Sequence, residues 1–321
     1  KIFKEILNNK FLEKFHGLAI DSRVVKKDNL FLTIRGKKNN GAKFISHALK
    51  KGAKGIISSK RIKKYKNKVI KVENETKFLN NFASKKRANS NAKIIAITGS
   101  AGKTSLKNLI NHLLQNFGKT FCSPKSYNNH YGVPLSLSHL SVEHKFGVFE
   151  VGMSRSGEIN SLTKLIRPHI AIITNIGEAH IENFKSLKDI ADAKGEIINN
   201  LKRGGVIILN RDDKFFKYLE KKAKLKKIKI VSFGISKKAD VHPTDIHINN
   251  KKELTIKIYD ENFKINLSHS NIYNVLSSIA LLKVLKLNIK KIVKLFKNFK
   301  LTDGRGRIHK IKRYNKNFKL I

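Results

Sequence analysis

Apolar runs punctuate the chain, and each is short. Ile94-Ile95-Ala96-Ile97 is followed by FGVFEVG (146–152), HIAIITNIG (169–177), GGVIILN (204–210) and IKIVSFG (228–234). Short runs without polar alternation predict strands buried on both faces of a parallel sheet. Between several of them the spacing changes to three and four. Leu106, Leu109, Ile110, Leu113 and Leu114 follow the first run, and Leu187, Ile190, Ala191, Ile197, Ile198 and Leu201 lie within 186–201. That period predicts helices with one buried stripe. Strands alternating with helices define an α/β fold with a mostly parallel sheet, in which ligands sit beyond the carboxyl ends of the strands.

The earlier part of the chain predicts a smaller α/β domain over 1–90, with NLFLTIRG (29–36), a helical AKFISHALKKGA (42–53) and the strand-like GIIS (55–58). The polar SKKRANSNAK (84–93) reads as a linker into a central domain spanning 91–302. Residues 303–321 read as the start of a third domain that is cut off.

Between the strand at 94–97 and the helix after it lies Gly99-Ser100-Ala101-Gly102-Lys103-Thr104. Strand, glycine loop and helix together make a phosphate-binding loop credible. The glycines let N–H groups turn onto phosphate oxygens, and the helix N-terminus adds partial positive charge. Lys103 can neutralise the β- and γ-phosphates, and the Thr104 hydroxyl can ligate Mg²⁺. Ile97 stands where the commoner, longer loop has its first glycine, so Gly99 takes the turn.

Three further residues stand at places where chemistry is expected. Glu150 ends the strand after the loop, where phosphate-loop enzymes carry an acidic Mg²⁺ ligand; an exposed strand-end glutamate is the bland alternative. His180, in TNIGEAHIENF, follows the next strand end, and a lone loop histidine carries little weight by itself. Lys194 falls inside the apolar stripe, four residues from both Ile190 and Ile198. Buried there, it would lose its charge readily and could add CO₂ to become a carbamate, an oxygen ligand. The alternative is a lysine that snorkels outward. Periodicity leaves both open.

Composition adds a puzzle. The 321 residues carry 68 Lys plus Arg against 23 Asp plus Glu, a formal charge of +45. Such an excess raises the question of nucleic acid. The excess is nearly all lysine spread along the chain, however, with no aromatic-interleaved basic stripe to stack bases. Specific nucleic-acid binding is not expected. The single cysteine, Cys122, excludes an intramolecular disulfide and suits a reducing compartment. No apolar run approaches the roughly 20 residues of a membrane span. A cytoplasmic monomer is expected.

Taken in order, TGSAGKTS, SYNNHYGVPLSL (126–137), EVGMSRSGEI (150–159), RPHIAIITNIGEAH (167–180) and ADAKGEI (191–197) resemble the motifs of the Mur ligases. The likeness extends from DSRVVKKDNLFLTIRG (21–36) to DGRGRIH (303–309). It implies an N-terminal domain for the uridine nucleotide, a central ATP-binding domain and a C-terminal Rossmann-like domain, truncated here. The implied activity is an ATP-dependent amide ligation in peptidoglycan synthesis. Gly152-Met153 favours the member that adds D-alanyl-D-alanine to UDP-N-acetylmuramoyl-tripeptide through an acyl phosphate. The third residue of that tripeptide is not specified.

The resemblance also implies roles. Gly99 through Ser105 (Gly99, Ser100, Ala101, Gly102, Lys103, Thr104, Ser105), with Asn271, Asn274 and Arg305 or Arg307, would contact ATP. Thr104 and Glu150 would hold one Mg²⁺, and His180 with carbamylated Lys194 a second. Asn128 and Asn129 would contact the substrate, as would Ser22 and Arg23 in the first domain. Ser270 and Ser126 depart from the family's usual histidine and asparagine. Within the family, a ligase adding a different amino acid is the nearest alternative, and two other classes stay in view: a phosphate-loop ATPase on nucleic acid, and a non-catalytic binding protein keeping the fold. The latter predicts a lost metal ligand, and none of the four is missing.

Overall fold

The computed structural model describes residues 15, 17–36, 40–249, 253–266 and 271–299, together with the backbone of 309–313 and 316–320. The chain forms two compact units, one of Lys1–Asn91 with His130–Val142, the other of Ala92–Asn129 with Glu143–Ile321. The segment 130–142 thus folds with the first unit, although it lies inside the 91–302 stretch.

In the first unit β1 (Gly17–Ala19), β2 (Asn29–Leu32), β3 (Gly55–Ser58) and β4 (Val69–Lys71) form a parallel sheet in that order. Helix α1 (Ile45–Lys50) precedes β3, and α2 (Glu75–Ala88) follows β4. Every residue of β2 and β3 is buried, as a covered parallel sheet requires. The linker expected at 84–93 is corrected here, because residues 84–88 complete α2. Phe78, Leu79, Phe82 and Ala83 bury one face, and Arg87 continues that face and donates to the Ser90 carbonyl. Lys85 and Lys86 sit in its last turn, where cations suit the helix dipole. A charge run there belongs to a helix end.

The second unit carries β5 (Lys93–Thr98), α3 (Lys103–Leu114), β6 (Thr120–Cys122), β7 (Phe146–Glu150), α4 (Glu158–Ile166) and β8 (Ile170–Ile173). It continues with α5 (Leu187–Gly195), β9 (Val206–Asn210), α6 (Phe216–Leu225) and β10 (Lys229–Phe233). These six strands form one sheet, ordered β10-β9-β8-β5-β7-β6 and parallel throughout. Strand β5 lies between β7 and β8, so the loop after it opens at the centre of the sheet's carboxyl edge, where such folds bind ligands. The helix expected over 186–201 is α-helical to Gly195 and 3₁₀ over Glu196–Asn200, and Ile190, Ala191, Ile197 and Ile198 remain buried through the change.

An antiparallel sheet follows that the apolar runs did not announce: β11 (Asp245–Ile248), β12 (Glu253–Ile258) and β13 (Glu261–Asn266). Leu254, Ile256, Ile258, Phe263 and Ile265 alternate along it and bury one face. With α7 (Ile272–Val284) and α8 (Val293–Asn298) they share a core with α3 and the parallel sheet. The hairpin β14 (His309–Arg313) with β15 (Lys316–Leu320) ends the described backbone. Among the described residues no helix is long and apolar enough to cross a membrane.

Candidate active site

The turn from β5 into α3 is possible only because two of its residues lack a side chain. Gly99 has φ +147°, and a Cβ there would lie 1.8 Å from Thr174 Oγ1. Gly102 caps α3 in the left-handed region, φ +80°, with Asn274 Oδ1 3.1 Å from where its Cβ would stand. The loop is lashed to the end of β8. Asn175 Oδ1 accepts from the Ser100 and Ala101 amides at 3.1 and 2.9 Å, and Ser100 Oγ donates to the Gly177 carbonyl at 2.9 Å. Thr174 Oγ1 donates to the Ala101 carbonyl at 2.6 Å. Lys103 lies back over its own loop, donating to the Gly99 and Ser100 carbonyls at 2.6 and 3.2 Å. Ser105 follows, half-buried, in the first turn of α3.

Thr104 and Glu150, brought together from α3 and the end of β7, form the centre of the site. The Thr104 hydroxyl donates to Glu150 Oε2 at 2.8 Å, and Asn128 Nδ2 donates to Oε1 at 2.8 Å. The carboxylate is 1% exposed, so the strand-end glutamate is an interior one. Gly152 is required beside it, since a Cβ would fall 2.9 Å from Asn128 Cγ. Asn129, next to Asn128, is exposed.

Sequence reasoning missed Lys107. It is 1% exposed, 3.6 Å from Glu150 Oε2, and donates to the carbonyls of Ser123 (2.8 Å) and Lys125. The signal was present: Lys107 is three residues before Ile110 and seven before Leu114, on the buried stripe of α3.

Lys194 is buried, with 2% exposure. Desolvation, reinforced by the Lys103 ammonium, pulls its pKa from 10.5 to about 7. Among the described residues no carboxylate or carbonyl accepts from its amine. The snorkelling alternative is thereby excluded. His180 stands apart. Its backbone is left-handed, φ +66°, its side chain is 48% exposed, and its ring is 3.8 Å from Glu182 Oε1. No hydrogen bond or ion pair joins it to Lys194 or Glu150.

Asn271 and Asn274 belong to one N-cap. Asn271 Oδ1 accepts from the Asn274 amide at 2.8 Å, which begins α7 and turns the buried Asn274 side chain toward Gly102. In the first unit Ser22 is buried with Oγ 2.9 Å from His47 Nδ1, whereas Arg23 is exposed and paired with Asp21. Arg305, Arg307 and Ser270 lie outside the described residues.

The fit to Mg²⁺ follows from donor chemistry. A hydroxyl and a carboxylate 2.8 Å apart are hard oxygen donors of the kind that cation takes. Among the described residues no three His, Cys, Asp or Glu side chains cluster as a metal site.

A parallel sheet with a glycine loop at its central strand, a buried Thr–Glu pair and an interior lysine defines a phosphate-loop nucleotide-binding enzyme fold. Residues 97–282 match the Mur ligase middle domain, and residues 14–87 match the Mur ligase family, catalytic domain. The chain belongs to the Mur ligase family.

Its relatives are specific. It is 36% identical over 306 residues to UDP-N-acetylmuramoyl-tripeptide–D-alanyl-D-alanine ligase of Rickettsia prowazekii (strain Madrid E), covering 91% of this chain and 66% of that protein. The ligase of the same name from Buchnera aphidicola subsp. Baizongia pistaciae (strain Bp) is 35% identical, covering 82% of this chain and 58% of the relative. The chain therefore spans about two thirds of the relatives' length or less. Among solved structures, MurF from Acinetobacter baumannii superposes with a TM-score of 0.81 at 27% identity, covering 94% of this chain and 66% of that one. MurF ligase from Thermotoga maritima in complex with ADP gives 0.78 at 25% identity, covering 95% and 70%.

Proposed function

We propose that the protein is an ATP-dependent amide ligase that joins D-alanyl-D-alanine to UDP-N-acetylmuramoyl-tripeptide, in the cytoplasmic stage of peptidoglycan precursor synthesis. The observation that carries this reading is the buried Thr104–Glu150–Asn128 group at the phosphate-binding loop, in a chain whose relatives bear that ligase's name. In this reading residues 1–90 hold the uridine nucleotide, with Ser22 and Arg23 at its site, and residues 91–302 hold ATP. The 303–321 stretch, with Arg305 or Arg307, opens the third domain.

The tripeptide carboxylate attacks the γ-phosphorus of ATP, and the bond from that phosphorus to the bridging oxygen breaks. The products are an acyl phosphate and ADP. The D-alanyl-D-alanine amine then attacks the carbonyl carbon, the C–O bond to phosphate breaks, and the amine proton is lost. The chain's own residues arrange the first step. Lys103 exchanges the Gly99 and Ser100 carbonyls for phosphate oxygens, and the loop amides and the N-terminus of α3 hold the transferring group. Asn128 fixes Glu150 in position, and Asn129 contacts the substrate. Asn271 and Asn274 lie toward the adenine. Thr104 and Glu150 would hold one Mg²⁺, with His180 and the Lys194 carbamate holding another; together they offset repulsion between the carboxylate and the triphosphate.

The test is phosphate release from ATP by the full-length protein. It is expected to require both the UDP-linked tripeptide and D-alanyl-D-alanine, and to fall about 10²–10³-fold in Glu150→Gln. Release indifferent to both substrates would refute the ligase. Stimulation by RNA or DNA would favour the nucleic-acid ATPase instead.

A further inference from the structure

A buried lysine and a buried glutamate share the heart of the second unit, and the ligase chemistry uses only the glutamate. Lys107 and Glu150 are each 1% exposed, with Lys107 Nζ 3.6 Å from Glu150 Oε2. Two charges so far from water are tolerated only when each compensates the other and their remaining hydrogen-bonding capacity is filled. Both conditions are met. The ammonium donates to the carbonyls of Ser123 and Lys125, just past the end of β6. The carboxylate takes Thr104 Oγ1 on one oxygen and Asn128 Nδ2 on the other. Ser123 Oγ in turn accepts from the Glu150 amide at 3.2 Å, so the lysine's anchor also touches the glutamate's backbone.

The placement along α3 is equally pointed. Lys107 is one turn beyond Lys103 and three residues beyond Thr104, and its amine reaches the backbone just past β6. It joins the phosphate-loop helix to the segment that leads from Ser123 to Asn128. Helix, carboxylate and asparagine are thereby held in one frame.

We propose that Lys107 is the positioning residue of Glu150. Its ammonium is the carboxylate's internal counter-ion when no cation is bound, and it sets how strongly that carboxylate attracts Mg²⁺. This rests on the reading of Glu150 as an Mg²⁺ ligand. A divalent cation arriving at Thr104 and Glu150 meets a carboxylate already partly compensated by an ammonium 3.6 Å from Oε2. Its attraction is weakened, and the carboxylate need not reorient.

The experiment uses the full-length protein with ADP as probe, following the melting temperature through an Mg²⁺ titration. Lys107→Met removes the charge and keeps most of the volume. In that variant the apparent Mg²⁺ affinity at saturating ADP is expected to tighten about tenfold or more, while Lys107→Arg stays near the parent. A side chain that merely fills space would move the melting temperature and leave the Mg²⁺ affinity unchanged, and that result overturns the proposal. If the parent is stabilised by ADP but indifferent to Mg²⁺, the metal-ligand reading of Glu150 has failed and takes the proposal with it. Because Lys107→Met alone can be too unstable to fold, the pair Lys107→Met with Glu150→Gln is measured beside each single change in Mg²⁺-free buffer. Compensation between the charges predicts that the second substitution restores folding lost to the first. A double variant as unstable as the sum of its parts shows that packing alone was lost, and overturns the proposal.

Discussion

Lys194 is held in the interior, where its amine gives up its proton more readily than an exposed lysine does. Desolvation and the Lys103 charge bring its pKa down to about 7 from 10.5, so an appreciable share of the amine is neutral at neutral pH. The sign for stability follows directly. Between those two values the unfolded chain binds the proton that the folded chain has released, so stability rises as pH climbs from about 7 towards 10.5. Below about 7 the folded chain carries a charged interior lysine and the full penalty. On the proposed reading, carbamate forms only on the neutral amine, so CO₂ uptake increases as pH rises through about 7. Carbon-13 NMR of protein in labelled bicarbonate, compared with Lys194→Ala, measures this. A carbamate signal that is unchanged by the substitution would place the adduct elsewhere.

At the scale of elements, the helix that carries Lys194 depends on its cap. Ser186 accepts from the Asp189 amide at 3.2 Å and starts α5. Tyr218 and Lys222 of α6 both donate to Asp192, at 2.5 and 2.6 Å, and clasp the helix from outside. Ser186→Ala is expected to lower stability by about 1 kcal/mol, read by urea denaturation. On the proposed reading it also weakens carbamate formation, by loosening the lysine's surroundings. The strands and the phosphate-loop helix of this unit were legible in the sequence because short, nearly continuous apolar runs and a three-four stripe report burial directly. The antiparallel sheet was not. Its strands alternate Leu254, Ile256 and Ile258 with Thr255 and Lys257, and alternating strands lack the continuous apolar signal. The phosphate-loop residues and Glu150 could be found from motif and strand end. Lys107 was overlooked because a lysine in a lysine-rich chain looks like surface, although its helical position put it inside. His180 has the right sequence context, yet no hydrogen bond or ion pair of its own ties it to the other candidate ligands.

At the scale of the molecule, the formal charge of +45 stands apart from the site's chemistry. Interior lysines such as Lys107 and Lys194 account for very little of it. The remainder, spread along the chain, gives a diffuse field with no particular reading surface. Such a field retains any polyanion at low ionic strength and releases it as salt displaces the counterion gain. Binding of a random-sequence oligonucleotide is therefore expected at about 50 mM salt and to be largely lost by about 200 mM. Fluorescence anisotropy across that range is sufficient. Binding that persisted with a shallow salt slope would reveal a specific nucleic-acid site that no aromatic or arginine pattern betrays.

The resting posture of Lys103 bears on how a nucleotide is gripped and let go. Its ammonium is already engaged by two carbonyls of its own loop, at 2.6 and 3.2 Å. Capturing a triphosphate is then a trade of partners, in which backbone oxygens are surrendered as phosphate oxygens arrive, and the net gain is the difference between the two sets. The same trade runs backwards at the end of a cycle. On the proposed reading, a departing anion leaves behind a cation with a seat waiting for it, and turnover is spared the electrostatic trap that a bare, unsatisfied lysine would set for its own product.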